Sequence, residues 1–430
     1  MSIVSWPAVK NASFEHWARL LALLIVAWSP FPGGPRMPSL LLAAMGAWLL
    51  WRRRAALWES LAVRRFALIF ALLWVPVLWS VPFSVDIRKS AQIAAALPLF
   101  GLAGLALLHA LRDAGHRQWL VKWLGVVLLL WAFDGLVQYL FGRDLLGIPL
   151  TADGRVQGMF EGNLHLALLL SVLAPLALAL LLPLGPSWAL AAFAVVAVVV
   201  ALSGVRMSYV MLAIAAVGLF LRLPRGYRWP AVALAALLPV VLWSASPLLQ
   251  ERVTWILSAR SLDFQGIDTM LSGRLTIWES AARMLADRPL TGVGAGAFAA
   301  AYDSYSTRPD DMFRTGGAYA GGVYHAHQLY VSVGAESGVA GLAAVLLAWF
   351  LGLRWYLGAD AARRAAAWPF AFSLFIATFP VNSQPVMYTL WWFPVLLLLL
   401  SATLAALGAG RPGGQTNGVA AARAARSKEQ

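Results

Sequence analysis

The chain has 430 residues, of which 61% are hydrophobic and 12% charged, with 21 Trp, no Cys and a formal net charge of +14. Soluble domains carry about 25% charged residues, so this composition excludes an ordinary soluble enzyme and indicates a polytopic membrane protein. The lack of cysteine excludes disulfides, thiolate metal ligands and cysteine nucleophiles.

Apolar stretches follow one another along the chain and predict an all-α polytopic membrane protein with about twelve transmembrane helices. We place the first nine in residues 1–246 and the last three in 338–408, on either side of a large polar loop, 247–337. The small, basic tail, 409–430, is predicted to be disordered. The predicted spans are 19–32, 38–51, 66–81, 91–110, 123–141, 164–183, 188–205, 207–222, 229–246, 338–353, 368–381 and 390–408.

Lys and Arg are concentrated in every second loop, which explains the net charge without a nucleic-acid partner. Short basic loops normally face the cytoplasm, so we expect both termini there and the large loop on the opposite side. ATP and nucleotide sugars are missing from that side, so a donor used there would need activation before it crosses. The basic residues of these loops are Arg52, Arg53, Arg54, Arg64, Arg65, Arg112, Arg117, Lys122, Arg222, Arg225, Arg228, Arg354, Arg363 and Arg364.

Two single residues stand out in the apolar part of the chain. Asp134 lies inside the fifth predicted span, where it has either a functional role or a helix-packing role. Arg206 lies in a turn between two apolar runs, and an arginine at depth in the bilayer costs up to ~3.5 kcal/mol. It therefore has a partner or a function, or else it extends to the outer interface.

A helix predicted near the middle of the large loop would carry Arg274 in its first turn, with Ser272 as its N-cap. Free backbone N–H groups and the helix dipole favour an anion at that position, so Arg274 could share a phosphate there. A solvated surface arginine is the alternative. The predicted buried stripe of this helix is Leu275, Trp278, Ala282 and Leu285.

His325 and His327 precede Gln328 near the end of the loop. Histidine is the usual general base near neutral pH, and at this spacing the two would point to different sides of a helix. A structural pair and a metal site remain alternatives. However, zinc needs three or four ligands, the chain has 6 His, and no HExxH or Asp-x-Asp motif occurs. We predict no metal and no cofactor.

The glycine-rich segment 289–298 resembles a phosphate-binding loop only weakly. It lacks the Gly-Lys-Ser/Thr of a P-loop and does not follow a strand. A tight turn that packs the loop on the membrane surface is the favoured interpretation.

Four segments together resemble the O-antigen ligase family, which shares motifs with O-antigen polymerases and protein oligosaccharyltransferases. The family commonly has Asn after the histidine that precedes a late span, whereas this chain has Gln328. The segments are 155–163, from Arg155 through Gly158 and Phe160 to Asn163; 203–206, ending in Arg206; 272–294, from Ser272 and Arg274 through Asp287 and Arg288 to Gly294; and 327–341, from His327 to Gly341.

The resemblance implies a GT-C-like glycosyltransferase of the bacterial inner membrane with a periplasmic active site. Its donor would be an undecaprenyl diphosphate-linked glycan and its acceptor a sugar hydroxyl of lipid A-core. His327 would be the general base, Arg206 and Arg274 would hold the diphosphate, and the transfer would invert the anomeric configuration without a metal. Further candidates for substrate binding are Arg155, Arg288, His325, Tyr330 and Trp278.

Three alternatives remain open from the sequence. An O-antigen polymerase would use another lipid-linked glycan as acceptor. A protein oligosaccharyltransferase is less favoured because no large C-terminal soluble domain is evident. A multi-span transporter or flippase should show repeat symmetry and charged, broken helices near the midplane, and of such residues the predicted spans contain only Asp134.

Overall fold

The computed structural model describes residues 8–162, 165–245, 263–309, 325–384 and 387–408, with single residues 250, 254, 311, 313, 314 and 323. These residues are mostly helical and contain no strand, only an isolated bridge between Arg143 and Pro149. The all-α prediction is therefore confirmed. The predicted disordered tail, 409–430, lies outside the described residues, as does Asn163 of the first motif.

Fifteen α-helices are delimited within the described residues. Three short ones belong to the large loop: α10 (Phe264–Met270), α11 (Arg274–Asp287) and α12 (Phe298–Tyr305). Each of the other twelve overlaps one predicted span: α1 (Ala8–Ala27), α2 (Arg36–Glu59), α3 (Leu61–Ser80), α4 (Ile87–Ala110), α5 (Ala114–Phe141), α6 (His165–Leu181), α7 (Pro186–Ser203), α8 (Arg206–Arg222), α9 (Arg225–Ala245), α13 (Leu329–Leu357), α14 (Ala361–Thr378) and α15 (Trp392–Gly408).

Local sequence signals explain where several long helices begin and end. The side chains of Asp86, Asp113 and Asp360 accept hydrogen bonds from first-turn N–H groups of α4, α5 and α14, which satisfies donors that a helix start leaves free. Gly142 and Gly204, with φ of 77° and 67°, follow α5 and α7. Glycine adopts this left-handed conformation without a Cβ penalty.

Two of the shortest long helices form the centre of the molecule. Nearly every side chain of α6 and α15 is buried, and α6 packs against α5, α7, α8 and α14. A helix that is apolar all round must be buried on all sides. These helices have 17 residues each and are about 25 Å long. Because their side chains are buried, neighbouring helices rather than lipid cover them.

Five helices in the described part of the chain are long and apolar enough to cross a bilayer, and α6 and α15 are shorter apolar helices. The protein is therefore a multi-pass membrane protein, while the count of twelve spans stays a prediction. The five long segments are Leu61–Phe83, Ile87–Ala110, Ala114–Phe141, Pro186–Ser203 and Leu329–Leu357.

The connections α3–α4, α5–α6, α7–α8, α9–α13 and α14–α15 meet at one end of the helix bundle, called the site end below. Backbone hydrogen bonds join them to one another: Val85 donates to Val293 (2.9 Å), Val156 to Leu202 (3.2 Å) and Leu329 to Asn382 (3.0 Å). The described part of the large loop is therefore packed against other connections at this end.

The connections α2–α3, α4–α5, α8–α9 and α13–α14, which carry the basic residues, meet at the opposite end, called the basic end. There α15 ends at Gly408 beside Ala62, and Arg112 donates to Glu15 of α1 at 2.9 Å. Helix α1 therefore begins, and α15 ends, at the basic end. The basic and non-basic connections that the Lys and Arg pattern distinguishes therefore lie at opposite ends of the helix bundle.

The tenth predicted span begins earlier than expected. We placed its start at Gly338, whereas α13 begins at Leu329 and leaves helical geometry at Gly338, with φ of 66° and ψ of −168°. A Cβ at Gly338 would lie 2.4 Å from the carbonyl carbon of Leu290. The kink therefore lets the chain after α11 pass directly against α13.

Candidate active site

Four predicted site residues, Arg206, Arg274, His325 and His327, come together at the site end. Arg206 opens α8, Arg274 opens α11, and the histidines immediately precede α13. Arg206 lowers the pKa of Arg274, after the larger effect of burial, and Arg274 contributes to lowering the pKa of both histidines. Three separate segments thus bring two guanidinium groups and two imidazoles into one electrostatic cluster.

The guanidinium of Arg206 connects α8 to the large loop, where its Nη1 donates to the carbonyl oxygen of Met270 at 2.9 Å. Met270 is the last residue of α10, shortly before Arg274. This bond holds the two arginine-bearing segments at a defined distance. Arg206 therefore has a hydrogen-bond partner in the large loop and is partly buried.

Arg274 is the first residue of α11, as predicted, but the predicted N-cap is wrong. Gly273, with φ of 77°, occupies the cap position instead of Ser272. The Asp268 carboxylate caps the helix and accepts from the N–H of Leu275 at 2.7 Å. Because Asp268 uses this part of the helix terminus, an anion beside Arg274 must be held by the guanidinium rather than by free backbone N–H groups.

The buried face of α11 also differs from the predicted stripe, which included the exposed Ala282. Apolar residues occur on two neighbouring faces of this helix. The structure buries the face of Ile277, Ala281 and Met284, which packs against Phe298 of α12 and Ala326. Trp278 and Leu285 of the predicted stripe are only half-buried. The buried residues are Thr276, Ile277, Ser280, Ala281 and Met284.

The two histidines are neighbours, contrary to the prediction that they point to different sides of a helix. Their ring centroids are 4.1 Å apart, with an interplanar angle of 44°. They precede α13, whose N-cap is Gln328, and His327 has a φ of 50°. This left-handed residue reverses the chain locally, so the two rings meet.

Both histidines are neutral at pH 7. Burial is the largest cause that lowers the pKa of His325 to about 4 and that of His327 to about 3. A hydrogen bond with the backbone of Ser383 opposes the shift at His325. Its buried Nε2 has no hydrogen-bond partner among the described residues, which leaves one unprotonated ring nitrogen as an acceptor.

The histidine segment is held by hydrogen bonds from the elements around it. Trp278 donates its indole N–H to the carbonyl oxygen of Ala326, between the histidines, at 2.9 Å. Gln328 accepts from the N–H of Val331 at 2.5 Å, so its longer side chain still caps α13. In this structure Trp278 positions the histidines through the backbone.

Residues 190–346 match the O-Antigen ligase family. The matched segment contains Arg206, Arg274, His325 and His327, whose convergence is described above. The resemblance seen in the motifs is therefore confirmed over this segment. The family covers O-antigen ligases and polymerases. A comparison with curated proteins finds no match.

Two arginines that the O-antigen ligase resemblance implies lie apart from the cluster. Arg155, outside the matched segment, pairs with Asp153 at 2.5 Å, and its neighbour Val156 is bonded to α7, next to the α7–α8 turn. Arg288 follows the other end of α11, about 20 Å from Arg274, and donates to the carbonyl oxygen of Phe83 at 2.6 Å. Arg155 borders the site, whereas Arg288 does not reach it.

Tyr330, a further substrate-binding candidate of the O-antigen ligase resemblance, lies in the first turn of α13. Its hydroxyl donates to the carbonyl oxygen of Thr378 at 2.8 Å. The bond joins α13 to the end of α14, close to the 379–384 connection that also contacts the histidines. Tyr330 therefore supports the wall of the site in this structure.

The glycine-rich turn of the O-antigen ligase motif is a packing element, as favoured from the sequence. Gly294 donates its N–H to the carbonyl oxygen of Glu336 at 3.0 Å, and Gly296 donates to the Glu336 carboxylate at 2.6 Å. A Cβ at Gly294 would lie 2.0 Å from the Ser84 hydroxyl oxygen. With these N–H groups already bonded, the segment is no phosphate cradle, and it packs on α13 and on the start of α4.

Asp134 and Gln138, four residues apart on α5, hold the α5–α6 connection. Asp134 accepts from the N–H of Leu145 at 2.9 Å, and the Gln138 side-chain oxygen accepts from the N–H groups of Gln157 and Gly158, each at 2.8 Å. The structure therefore gives Asp134 a loop-anchoring role, which differs from both roles considered from the sequence. Together, Asp134 and Gln138 keep the segment after Arg155 at the site end.

Sequence reasoning missed Asp268 and Ser383. Asp268 acts across a left-handed turn, which a search for capping residues directly before a helix does not find. Ser383 lies in the polar run 382–384 between two apolar segments, and this run could have marked a loop facing the site. No group of three or more His, Asp and Glu side chains in the described part of the chain could hold a metal ion.

Proposed function

We propose that the protein is an O-antigen ligase. It transfers a glycan from undecaprenyl diphosphate to a sugar hydroxyl of lipid A-core on the periplasmic face of the bacterial inner membrane. The observation that carries this proposal is the convergence of Arg206, Arg274 and two neutral histidines within the matched segment. The cluster joins a strong anion-binding pair to proton acceptors, which are the two groups that glycosyl transfer from a diphosphate needs.

The orientation of the site supports the periplasmic face. The cluster lies at the end of the bundle opposite the short basic connections, and such connections normally remain in the cytoplasm. A lipid-linked donor carries its activation energy across the membrane in the bond to its diphosphate, so no nucleotide is required at the site.

The reaction in this site is a direct displacement at the anomeric carbon. The acceptor hydroxyl oxygen forms the new glycosidic bond, and its proton passes to a histidine ring nitrogen. The bond between the anomeric carbon and the diphosphate oxygen breaks, and its electron pair leaves with undecaprenyl diphosphate. Arg206 and Arg274 stabilise that charge, and fixed cationic or hydrogen-bond donors of this kind contribute ~10²–10³ in rate. Attack opposite the leaving group inverts the anomeric configuration.

We assign His327 as the general base and His325 as the group that positions it. The two rings are in contact, and a hydrogen bond with the backbone of Ser383 holds His325 in place. His327 has the lower pKa, about 3, which by itself makes a weak base. A bound diphosphate would place negative charge beside His327 and offset the field of Arg274, which follows burial and His325 among the causes that lower the pKa of His327, and so raise that pKa. Donor binding therefore prepares the base for the acceptor.

The same charges make a divalent ion unnecessary in the proposed reaction. Arginine binds phosphate oxygens through two parallel N–H donors, and two arginines next to the diphosphate supply the charge that Mg²⁺ supplies in other transferases.

Deletion of the gene in its host, followed by electrophoresis of the lipopolysaccharide, tests the proposal. Loss of a ligase leaves bare lipid A-core while lipid-linked polymer accumulates. Loss of a polymerase, the alternative that the family match allows, leaves core carrying a single repeat. Unchanged lipopolysaccharide would contradict both reactions.

A further inference from the structure

An apolar groove of about 340 Å³ lies between α3, α13, α14 and α15 and extends from Trp355 and Leu407, near the basic end, to Thr378, near the site end. Aromatic side chains form much of its wall. The hydroxyls of Thr378 and Thr403, which also line it, donate to carbonyl oxygens of their own helices at 2.7 Å. The groove therefore offers a hydrocarbon chain apolar contact with few free polar groups. Among its lining residues are Leu73, Trp349, Gly352, Trp368, Phe372 and Leu400.

A second cavity of about 370 Å³ lies at the basic end and is lined by three arginines, Arg65, Arg354 and Arg363. Trp355 and Leu407 line both cavities, so the two are adjacent and share a wall. Arg65 stacks over the Trp355 ring at 5.0 Å, which places one guanidinium at the mouth of the groove.

The arginines outnumber the acids that face them. Arg65 comes from α3, Arg354 from α13 and Arg363 from α14, and one carboxylate, Asp360, lies 3.4 Å from the Arg363 Nε. Asp360 also caps α14, so its charge is shared with the helix terminus. An excess of positive charge remains where three helices meet.

We propose that this composite cavity binds an anionic glycerophospholipid, with one acyl chain in the groove and the phosphate among Arg65, Arg354 and Arg363. Basic pockets between membrane helices bind anionic lipid head groups, and arginine binds phosphate through two N–H donors. The groove follows α15 from Leu396 to Leu407 for about 16 Å. One leaflet of the hydrocarbon core is about 15 Å thick, so the depth fits a chain anchored at the basic end.

The charge distribution favours a phospholipid over the isoprenoid chain of a lipid-linked donor. In the proposed reaction the donor diphosphate lies beside Arg274, at the opposite end of the bundle. An isoprenoid chain entering from that end would make no use of the three arginines. The lipid site is therefore independent of the proposed glycosyl transfer.

The test uses delipidated, purified full-length protein and two lipids with identical oleoyl chains, phosphatidylglycerol and phosphatidylethanolamine. Native mass spectrometry measures bound lipid, and thermal unfolding measures stabilisation. Phosphatidylglycerol should bind at least ~tenfold more tightly, because its head group is anionic overall, whereas the ammonium of phosphatidylethanolamine would be repelled by the same three arginines. Equal binding of the two lipids by the unaltered protein would overturn the proposal.

Two variants separate the head group from the chain. Arg65→Gln with Arg354→Gln and Arg363→Gln should abolish the preference for phosphatidylglycerol. Gly352→Leu should weaken both lipids, because a Cβ at Gly352 meets no atom within 4 Å and extends into open space. Leucine also favours a helix more than glycine does, so this variant is expected to fold.

A matched control removes three charges from the same end outside the pocket: Arg52→Gln, Arg54→Gln and Arg225→Gln. It should retain the preference, and loss of the preference in this control would show a general charge effect and refute a defined site. Competition by neutral undecaprenol that depends on Gly352 and not on the three arginines would assign the groove to an isoprenoid chain and also refute the proposal.

Discussion

Arg206 and Arg274 form an electrostatically unfavourable pair. Burial and the neighbouring Arg206 both lower the pKa of Arg274, which means that its positive charge is destabilised there. A bound diphosphate would reverse this effect, because an anion between two cations stabilises both. This repulsion between two partly buried cations is the physical reason to expect that the site binds a strong anion.

Replacement of either arginine by lysine should be nearly as damaging as replacement by alanine. Lysine keeps the charge but loses the planar pair of N–H donors, so Arg274→Lys and Arg206→Lys should each lower the transfer rate by at least ~10². Rates of purified variants with a lipid-linked donor measure this. Arg288→Lys, about 20 Å away, is the matched control and should retain most activity. A lysine variant with the rate of the unaltered enzyme would refute bidentate binding.

The histidine pKa values predict an unusual pH profile. His325 and His327 have pKa values lowered from 6.5 to about 4 and about 3. A base works while it is unprotonated, so the lowered pKa moves the loss of activity to lower pH. We expect kcat/KM, which reports the free enzyme, to be flat from pH 7 to about pH 5 and to fall below that.

The profile of kcat, which reports the bound complex, should fall at a higher pH than that of kcat/KM, because the diphosphate raises the pKa of the base. Both profiles are measured in the same titration. A fall of kcat/KM centred near pH 6.5 would show that the histidines are not shielded as the structure indicates.

At the scale of single helices, the sequence prediction and the structure differ in the residue that caps the start of α11. The pattern around residues 272–278 correctly predicted that Arg274 opens a helix. It could not show that Asp268 provides the cap, because that contact depends on the left-handed turn at Ser272 and Gly273. The histidine pair was misplaced for a similar reason, since the positive φ of His327 precedes the helix that Gln328 caps.

Removal of the α11 cap should destabilise the helix that carries Arg274. Asp268→Ala loses the bonds to the N–H groups of Leu275 and Thr276, a loss of about 1–2 kcal/mol for a helix cap. Asp268→Asn keeps an acceptor and should lose less. Thermal unfolding and transfer rate are measured together on the purified variants.

Asp113→Ala, which removes the cap of α5 at the basic end, is the control. It should lower stability to a similar degree but leave transfer by the folded protein unchanged. If Asp113→Ala and Asp268→Ala reduced transfer equally, the cap of α11 would have no special connection with the site.

At the scale of the whole molecule, hydropathy located the long helices well because each is a nearly continuous apolar run. It could not show which of them face lipid. Helices α6 and α15, which are apolar all round, are both buried at the centre, whereas the similarly apolar α7 is only partly buried. The separation into site end and basic end was predicted from the sequence, since Lys and Arg are concentrated in one set of connections.

The orientation of the molecule can be tested with reporter tags. Tags inserted at Gly185, between α6 and α7, and at Gly413 in the tail should report the cytoplasm, and a tag at Ser306, after α12, should report the periplasm. The reason is the concentration of Lys and Arg in the connections of the basic end. A cytoplasmic signal at Ser306 would place the site on the wrong face for a lipid-linked donor.

Reconstituted transfer tests the central claim most directly. Purified protein, undecaprenyl diphosphate-linked glycan and lipid A-core are combined in excess EDTA, and ligated lipopolysaccharide is measured over time. The account predicts full activity without metal and a loss of at least ~10² for His327→Ala, the usual contribution of a general base, with a smaller loss for His325→Ala. Activity that stops in EDTA and returns with Mg²⁺ or Mn²⁺, or an unaffected His327→Ala variant, would contradict it.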